Sequence, residues 1–199
     1  MLETFVTELL QYVDSGGYVM PPLIVATVVL WLAIGYRTSL LKRGNRRSVR
    51  VLLERARKGN LRKATGMIDA AVLKGMSVMQ DHPANHPDSA RPYLDDAFSV
   101  YEQDLERYNA LITSIIAVAP LLGLLGTVVG MIETFDSLGD MSLFSQSGGI
   151  AGGISQALFT TQMGLAVAIP GLLVKGFLDR QQSRLELELA QIKDLLTAG

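Results

Sequence analysis

Ser155, Gln156, Thr160, Thr161 and Gln162 stand together in GISQALFTTQMGLAVAIPG (153–171), a stretch without a single charged residue. Hydroxyls and amides donate and accept hydrogen bonds, but they store no proton at physiological pH. At about 100° per residue, Gly153, Ala157, Thr160, Thr161, Gly164, Ala168 and Gly171 gather within roughly a third of a helix circumference, while Leu158, Phe159 and Ile169 point elsewhere. Upstream, Thr113, Pro120, Thr127 and Thr134 recur at every seventh position, with Gly123 and Gly130 close beside them. Such faces suit close helix packing, because small residues let backbones approach and threonines hydrogen-bond across or back onto their own helix. They equally suit a path or a polar group brought by a partner. Gln156 favours the second use: its amide lies about 40° from Thr160 and would be costly against lipid.

Other chemistries find little support. Ser155 has no His or Lys base in its own segment, so no nucleophile and base pair can be built and an enzyme is not expected. There is no cysteine, which removes disulfides and Cys-based metal sites. His82 and His86, in DHPANHPDSARP, have the spacing of a helical zinc pair. Pro83, Pro87 and Pro92 instead predict a solvated loop, so neither metal nor cofactor is expected.

The elements that must carry the polar faces follow from the charges. No formal charge lies between Arg107 and Glu133, or between Asp140 and Lys175, and each gap exceeds the roughly 20 apolar residues that span a bilayer. A third run, Val19 to Tyr36, is interrupted only by Pro21 and Pro22. The fold class is therefore all-α, with three transmembrane helices. Glu3, Glu8 and Asp14 precede the first run and the basic cluster follows it, the reverse of a cleaved signal sequence. All 18 Lys and Arg residues fall either within 37–107 or from Lys175 onward. Basic loops stay on the cytoplasmic side, so the N-terminus is expected outside and the C-terminus inside.

The predicted layout is an amphipathic N-terminal helix (1–18), a first membrane helix (19–36), a cytoplasmic helical loop region (37–107), a second membrane helix (108–135), an outer loop (136–149), a third membrane helix (150–174) and a cytoplasmic C-terminal helix (175–199). Leu2, Phe5, Val6, Leu9, Leu10 and Val13 give the first of these its apolar face. The basic segment from Arg37 to Ala64 has helical apolar spacing at Val51, Leu52 and Leu61, and its charge suits topology and anionic lipid rather than nucleic acid. From Tyr93 no Gly or Pro occurs until Pro120, which predicts one helix running from the cytoplasm into the second span. With the tail after Lys175 it would form a helical stalk.

IAVAPLLGLLGTVVGMIETF (116–135) and IAGGISQALFTTQMGLAVAIPGLLV (150–174) together resemble the paired membrane helices of the MotA/TolQ/ExbB proton-channel family. The resemblance is detailed over roughly the last half of the chain and covers layout alone before that. Three spans and an outside N-terminus are similar to ExbB and TolQ more than to MotA, which has four spans. The resemblance implies a homopentamer in the bacterial inner membrane, its second and third spans lining a pore that holds the helices of an ExbD-like single-span partner. Each partner helix carries an aspartate whose protonation cycle energises a TonB-like protein for outer-membrane transport. Matching GLLGTVVG and QALFTTQMGL puts the family's pore threonines at Thr127 and Thr161. Gln156, Thr160, Pro120, Thr113 and Thr134 complete the expected pore-lining set, and Gly123, Gly130, Gly153, Ala157, Gly164 and Ala168 the helix-packing face.

One departure stands out. Well-known ExbB proteins have a glutamate where this chain has Gln156, and an amide cannot relay a proton. The partner's aspartate would then bear the whole proton step. A TolQ-like subunit for envelope maintenance and a non-conducting membrane scaffold are the alternatives. Glu133 and Asp136 mark the outer mouth in any of these readings.

Overall fold

Pro21 and Pro22 fall in the first turn of a helix, where their missing amides leave no carbonyl unpaired. In the computed structural model, α1 (Met20–Leu40) begins there, after a short 3-10 turn at Gly17–Val19. The structure describes residues 16–44, 48–59, 64–81, 87–139 and 147–197. Most of the expected N-terminal helix (1–15), the His82 and His86 segment (82–86), Leu61 and most of the outer loop (140–146) lie outside these residues. The remaining elements are α2 (Val49–Arg57), α3 (Met67–Asp81), α4 (Pro87–Glu106), α5 (Asn109–Gly139) and α6 (Ser147–Thr197). All are helices. Three segments, Gly17–Leu40, Ala90–Leu138 and Ile150–Thr197, contain stretches long and apolar enough to cross a membrane.

Two expectations about helix ends are corrected. The helix predicted to run unbroken from Tyr93 to Pro120 stops at Glu106 and restarts at Asn109. Tyr108, between them, has φ 64, the left-handed region, which costs a non-glycine residue roughly 1–2 kcal/mol. Its ring compensates: it meets the Tyr36 ring edge-on at 5.2 Å, and the Arg107 guanidinium lies 5.6 Å from its centroid. The loop predicted through Pro92 does not extend past residue 86. Pro87 opens α4 and Pro92 lies inside it; the former is the position where helices favour proline.

The chain divides into two compact units. One comprises α1 up to Ile34 together with Leu111–Lys175, the spans of α5 and α6. Met20, Leu23, Leu30 and Ile34 form the buried face of α1, while Val25, Val28, Trp31 and Leu32 are exposed. A helix apolar on every side belongs in lipid or in a large core.

The other unit comprises Gly35–Ala110 and the end of α6 from Gly176. Its core is aliphatic and amphipathic. Val49, Leu52 and Leu53 of α2 are buried, whereas Val51, expected on the apolar face, is exposed. Leu94, Phe98 and Leu105 of α4 and Leu178, Leu185, Leu189, Ile192 and Leu196 of α6 recur at three, four or seven and are all buried. Gly75 of α3 makes room for both Leu196 and Phe98: a Cβ there would stand 3.2 Å from Phe98 Cζ. Arg37, the first basic residue of the chain, is fully buried. It donates to Asn109 Oδ1 at 3.0 Å, Asp179 Oδ1 at 3.2 Å and Gln182 Oε1, joining the end of α1 to α5 and α6.

Candidate functional site

In the first unit, α5 and α6 meet through their smallest residues. A Cβ at Gly164 would come within 2.7 Å of the Ala119 carbonyl oxygen and 3.2 Å of Gly123 Cα. A Cβ at Gly130 would come within 2.6 Å of the Gly153 carbonyl oxygen and 3.1 Å of Ala157 Cβ. Backbones this close gain dispersion contacts that larger residues would prevent. Gly123, Gly130, Gly153, Ala157, Gly164 and Ala168 are all buried. Three further residues share in this packing. Gly126 leaves the space that the Thr160 side chain fills, Ala119 abuts Gly164, and Gly171 lies against Leu30 and Ile116. The spacing of three and four in Gly123, Gly126 and Gly130 was the sequence signal for the first of them.

The polar residues sort into two groups by depth. Thr134 and Thr160 are buried in this seam. Thr134 Oγ1 donates to the Gly130 carbonyl at 2.8 Å, and Thr160 Oγ1 to the Ala157 and Gln156 carbonyls at 3.0 and 3.1 Å. Thr127, Thr161, Pro120 and Gln156 are half-buried along the seam's edges, and Thr113 is exposed. Helical drift explains the division of the sevenfold stripe. Seven residues of a straight helix fall about 20° short of two full turns, so Thr113 and Thr134 are about 60° apart. The buried line instead follows Ile112, Ile116, Ala119, Gly123, Gly126, Gly130 and Thr134, at spacings of three and four.

Thr127 Oγ1 donates to the Leu124 carbonyl at 2.6 Å. Thr161 Oγ1 donates to the Ala157 carbonyl at 3.0 Å and reaches the Gly123 carbonyl across the seam at 3.5 Å. A hydroxyl has one donor and two acceptor sites. With the donors engaged by carbonyls, both oxygens are set to accept a hydrogen bond from a third group. To donate to an anion, each must first turn away from its carbonyl.

Gln156 has a separate arrangement. Its Nε2 donates to Glu133 Oε1 at 3.3 Å. Gly17, at φ +58, stands against the amide, where a Cβ would be 3.0 Å from Gln156 Cδ. Positive φ and this contact both favour glycine there. Nothing in residue spacing pointed to that turn.

Large apolar side chains cover the outside of the same unit. Leu121, Leu124, Leu125, Val128, Leu158, Leu165, Leu172 and Leu173 are exposed. Water-soluble monomers rarely present apolar patches beyond a few hundred Å², so this surface suits lipid or further protein.

A profile of the MotA/TolQ/ExbB proton channel family matches residues 63–191. An ExbB-like biopolymer transport protein of Synechocystis sp. is 43% identical over 88 residues, 44% of this chain and 42% of its own length. An ExbB biopolymer transport protein of Vibrio cholerae is 34% identical over 100 residues, 46% of this chain and 44% of its own. The ExbB of Aquifex aeolicus is 36% identical over 80 residues, 40% of this chain and 53% of its own. The chain thus spans about half the length of the relatives it matches.

Proposed function

The chain belongs to the MotA/TolQ/ExbB proton channel family, and from that premise we propose that it is the ExbB-like stator subunit of a proton-driven motor in the bacterial inner membrane. In this reading it is not an enzyme. It assembles as a homopentamer around an ExbD-like single-span partner, with its N-terminus periplasmic and its C-terminus cytoplasmic. The assembly converts the proton motive force into work on a TonB-like protein.

One observation carries the reading. The stretches 109–132 of α5 and 147–174 of α6 contain hydroxyls and amides but no ionisable side chain. Ion-coupled pathways need a titrating group within the membrane, so a partner must supply it. Thr127 and Thr161, with Thr113 and Pro120, face that partner, whereas Gln156, expected beside them, bonds Glu133 and lies against Gly17. Thr134 and Thr160 serve by fixing α5 against α6.

The hydroxyl geometry suggests how the sleeve distinguishes protonation states. A protonated carboxyl on the partner donates to the oxygen of Thr127 or Thr161 while the threonines keep their carbonyl bonds. A bare carboxylate needs donors, and a carboxylate at the bilayer centre costs about 2.5–3.5 kcal/mol on insertion scales. Turning the two hydroxyls toward it lowers that cost. Each charge moved across the membrane releases about 2.3 kcal/mol per 100 mV, so sustained mechanical work takes repeated cycles.

Proton flux into liposomes holding this chain with an ExbD-like partner tests the reading. Thr127→Val and Thr161→Val remove one hydroxyl each at nearly unchanged size. Both variants are expected to assemble as wild type and to lose flux; wild-type flux in both would remove these threonines from the path. The burial of Thr134 and Thr160 also favours a scaffold held by its small faces. Verified assembly with no flux in the wild-type protein would decide for that second reading.

A further inference from the structure

In the second unit, α6 and the residue run after α1 enclose a groove of about 500 Å³ lined by Arg43, Phe177, Arg180, Gln181, Arg184, Leu185 and Glu188. Three guanidiniums face one carboxylate there. That carboxylate is already engaged, since Arg43 Nε donates to both Glu188 oxygens at 2.7 and 2.8 Å. Arg180 and Arg184, one helical turn apart on α6, are exposed, and their side chains make no ion pair or hydrogen bond with the described residues. The groove therefore has surplus positive charge on two planar, forked donors. Such donors match the oxygens of a phosphate group.

The other lining residues restrict the occupant. Gln181 Nε2 donates to the Leu41 carbonyl at 2.9 Å, so it is committed to closing α1. Leu185 is buried and forms the floor. Phe177 is 69% exposed, an apolar ring beside cationic groups. A free inorganic anion has no use for that ring, whereas an amphiphile pairs a charged head with an apolar chain. Position along the chain agrees: Phe177, Arg180 and Arg184 follow Val174, the last residue of the charge-free run, by three, six and ten positions in one helix. At 1.5 Å per residue they occupy about the first 15 Å beyond that run, where headgroups lie and where long arginine side chains reach back toward them.

We propose that this groove binds the headgroup phosphate of an anionic phospholipid, with Arg180 and Arg184 holding the phosphate and Phe177 lying along the first acyl carbons. Basic residues at a membrane surface each contribute about 1 kcal/mol of attraction to anionic lipid. Two of them in one groove give a lipid that stays through purification rather than a diffuse cloud. The proposal rests on the membrane-spanning reading of the helices and not on the motor reading, because it is tested on this chain alone, without a partner or proton flux.

The experiment is native mass spectrometry of the purified chain exchanged into mixtures of phosphatidylglycerol and phosphatidylcholine, with Arg180→Ala/Arg184→Ala as the variant. Both arginines are exposed, and circular dichroism checks that the variant keeps its helices. Wild type should retain phosphatidylglycerol over phosphatidylcholine, and the double variant should lose roughly tenfold or more of that preference. A Phe177→Ser variant should lessen retention of both lipids with little change in their ratio. Equal retention of phosphatidylglycerol by wild type and the double variant overturns the proposal. So does displacement of the lipid by millimolar inorganic phosphate, which would mark a site for free anions.

Discussion

The two units of this chain are held together by opposite means. Where α5 meets α6 in the first, carbonyl oxygens and Cα atoms come near each other over Gly123, Gly130, Gly153 and Gly164, and the buried hydroxyls bond back to their own helices. In the second, Phe98 and a row of leucines fill the core, the buried Arg37 pairs with Asp179 among them, and Arg43–Glu188 and Lys193 with Asp95 and Glu102 bond the helices at its margins. The environment explains the difference. Lipid tails are as apolar as leucine, so large aliphatic residues gain nothing by leaving them, and helices associate through shape and close approach. In water the same aliphatic residues provide the main driving force. Glycine is thus an adhesive in the one unit and a clearance for neighbouring side chains, as at Gly75, in the other.

The largest expected effect tests the first half of that contrast. Gly164→Val places a branched side chain where a single Cβ already stands 2.7 Å from the Ala119 carbonyl oxygen. Backbone cannot move aside as a flexible side chain does, so the cost exceeds the roughly 1–3 kcal/mol of ordinary overpacking. Little folded protein should be recovered from membranes. Gly176→Val, on the same helix with nothing within 4 Å of its Cβ position, is the control and should express as wild type. Comparable yields for the two would mean that close approach is not what joins α5 to α6.

A smaller effect sharpens the second half. Phe98 is fully buried against Gly75, and Phe98→Ala should cost about 3–5 kcal/mol. Hydrogen exchange offers the readout: amides of α3, α4 and the last turns of α6 should exchange faster, while those of α5 between Leu111 and Gly130 keep their protection. Faster exchange spread evenly over both sets would show that the units are not separately held.

Much of the fold could be read from where charges are missing, because a bilayer's thickness translates directly into run length. Residues 109–132 of the first charge-free gap fall within α5 and residues 147–174 of the second within α6. Within those helices, residue type was legible and facing was not. A sevenfold stripe looked like one face, but drift of about 20° per heptad puts Thr134 in the seam and leaves Thr113 exposed. The break at Tyr108 had no Gly or Pro to announce it, since its compensation comes from Tyr36, seventy-two positions away. Arg37 was equally opaque: a lone arginine after an apolar run reads as a topology marker, and its burial depends on Asn109, Asp179 and Gln182 arriving from two other helices.

The smallest effect concerns the ion pairs, which the contrast treats as margins rather than as the source of cohesion. Lys193 Nζ bonds Asp95 at 2.7 Å and Glu102 at 2.9 Å and lies 5.8 Å from the centre of the Phe98 ring. Burial of its ammonium works to lower its pKa, but the hydrogen bonds and charges of Asp95 and Glu102 outweigh that and leave it above the ordinary lysine value of 10.5. A folded-state pKa raised above the unfolded one gives stabilisation that is complete below 10.5 and fades as pH rises through the folded value. Between about pH 6 and 9 this lysine therefore adds no pH dependence. Both carboxylates are exposed, so solvent screening limits the group, and Lys193→Met should cost less than about 1 kcal/mol. The difference from wild type, read from denaturant midpoints, should shrink further in high salt. A loss as large as that of Phe98→Ala, unchanged by salt, would make charge pairing a primary cohesive force in this unit and end its description as an aliphatic core with ionic edges.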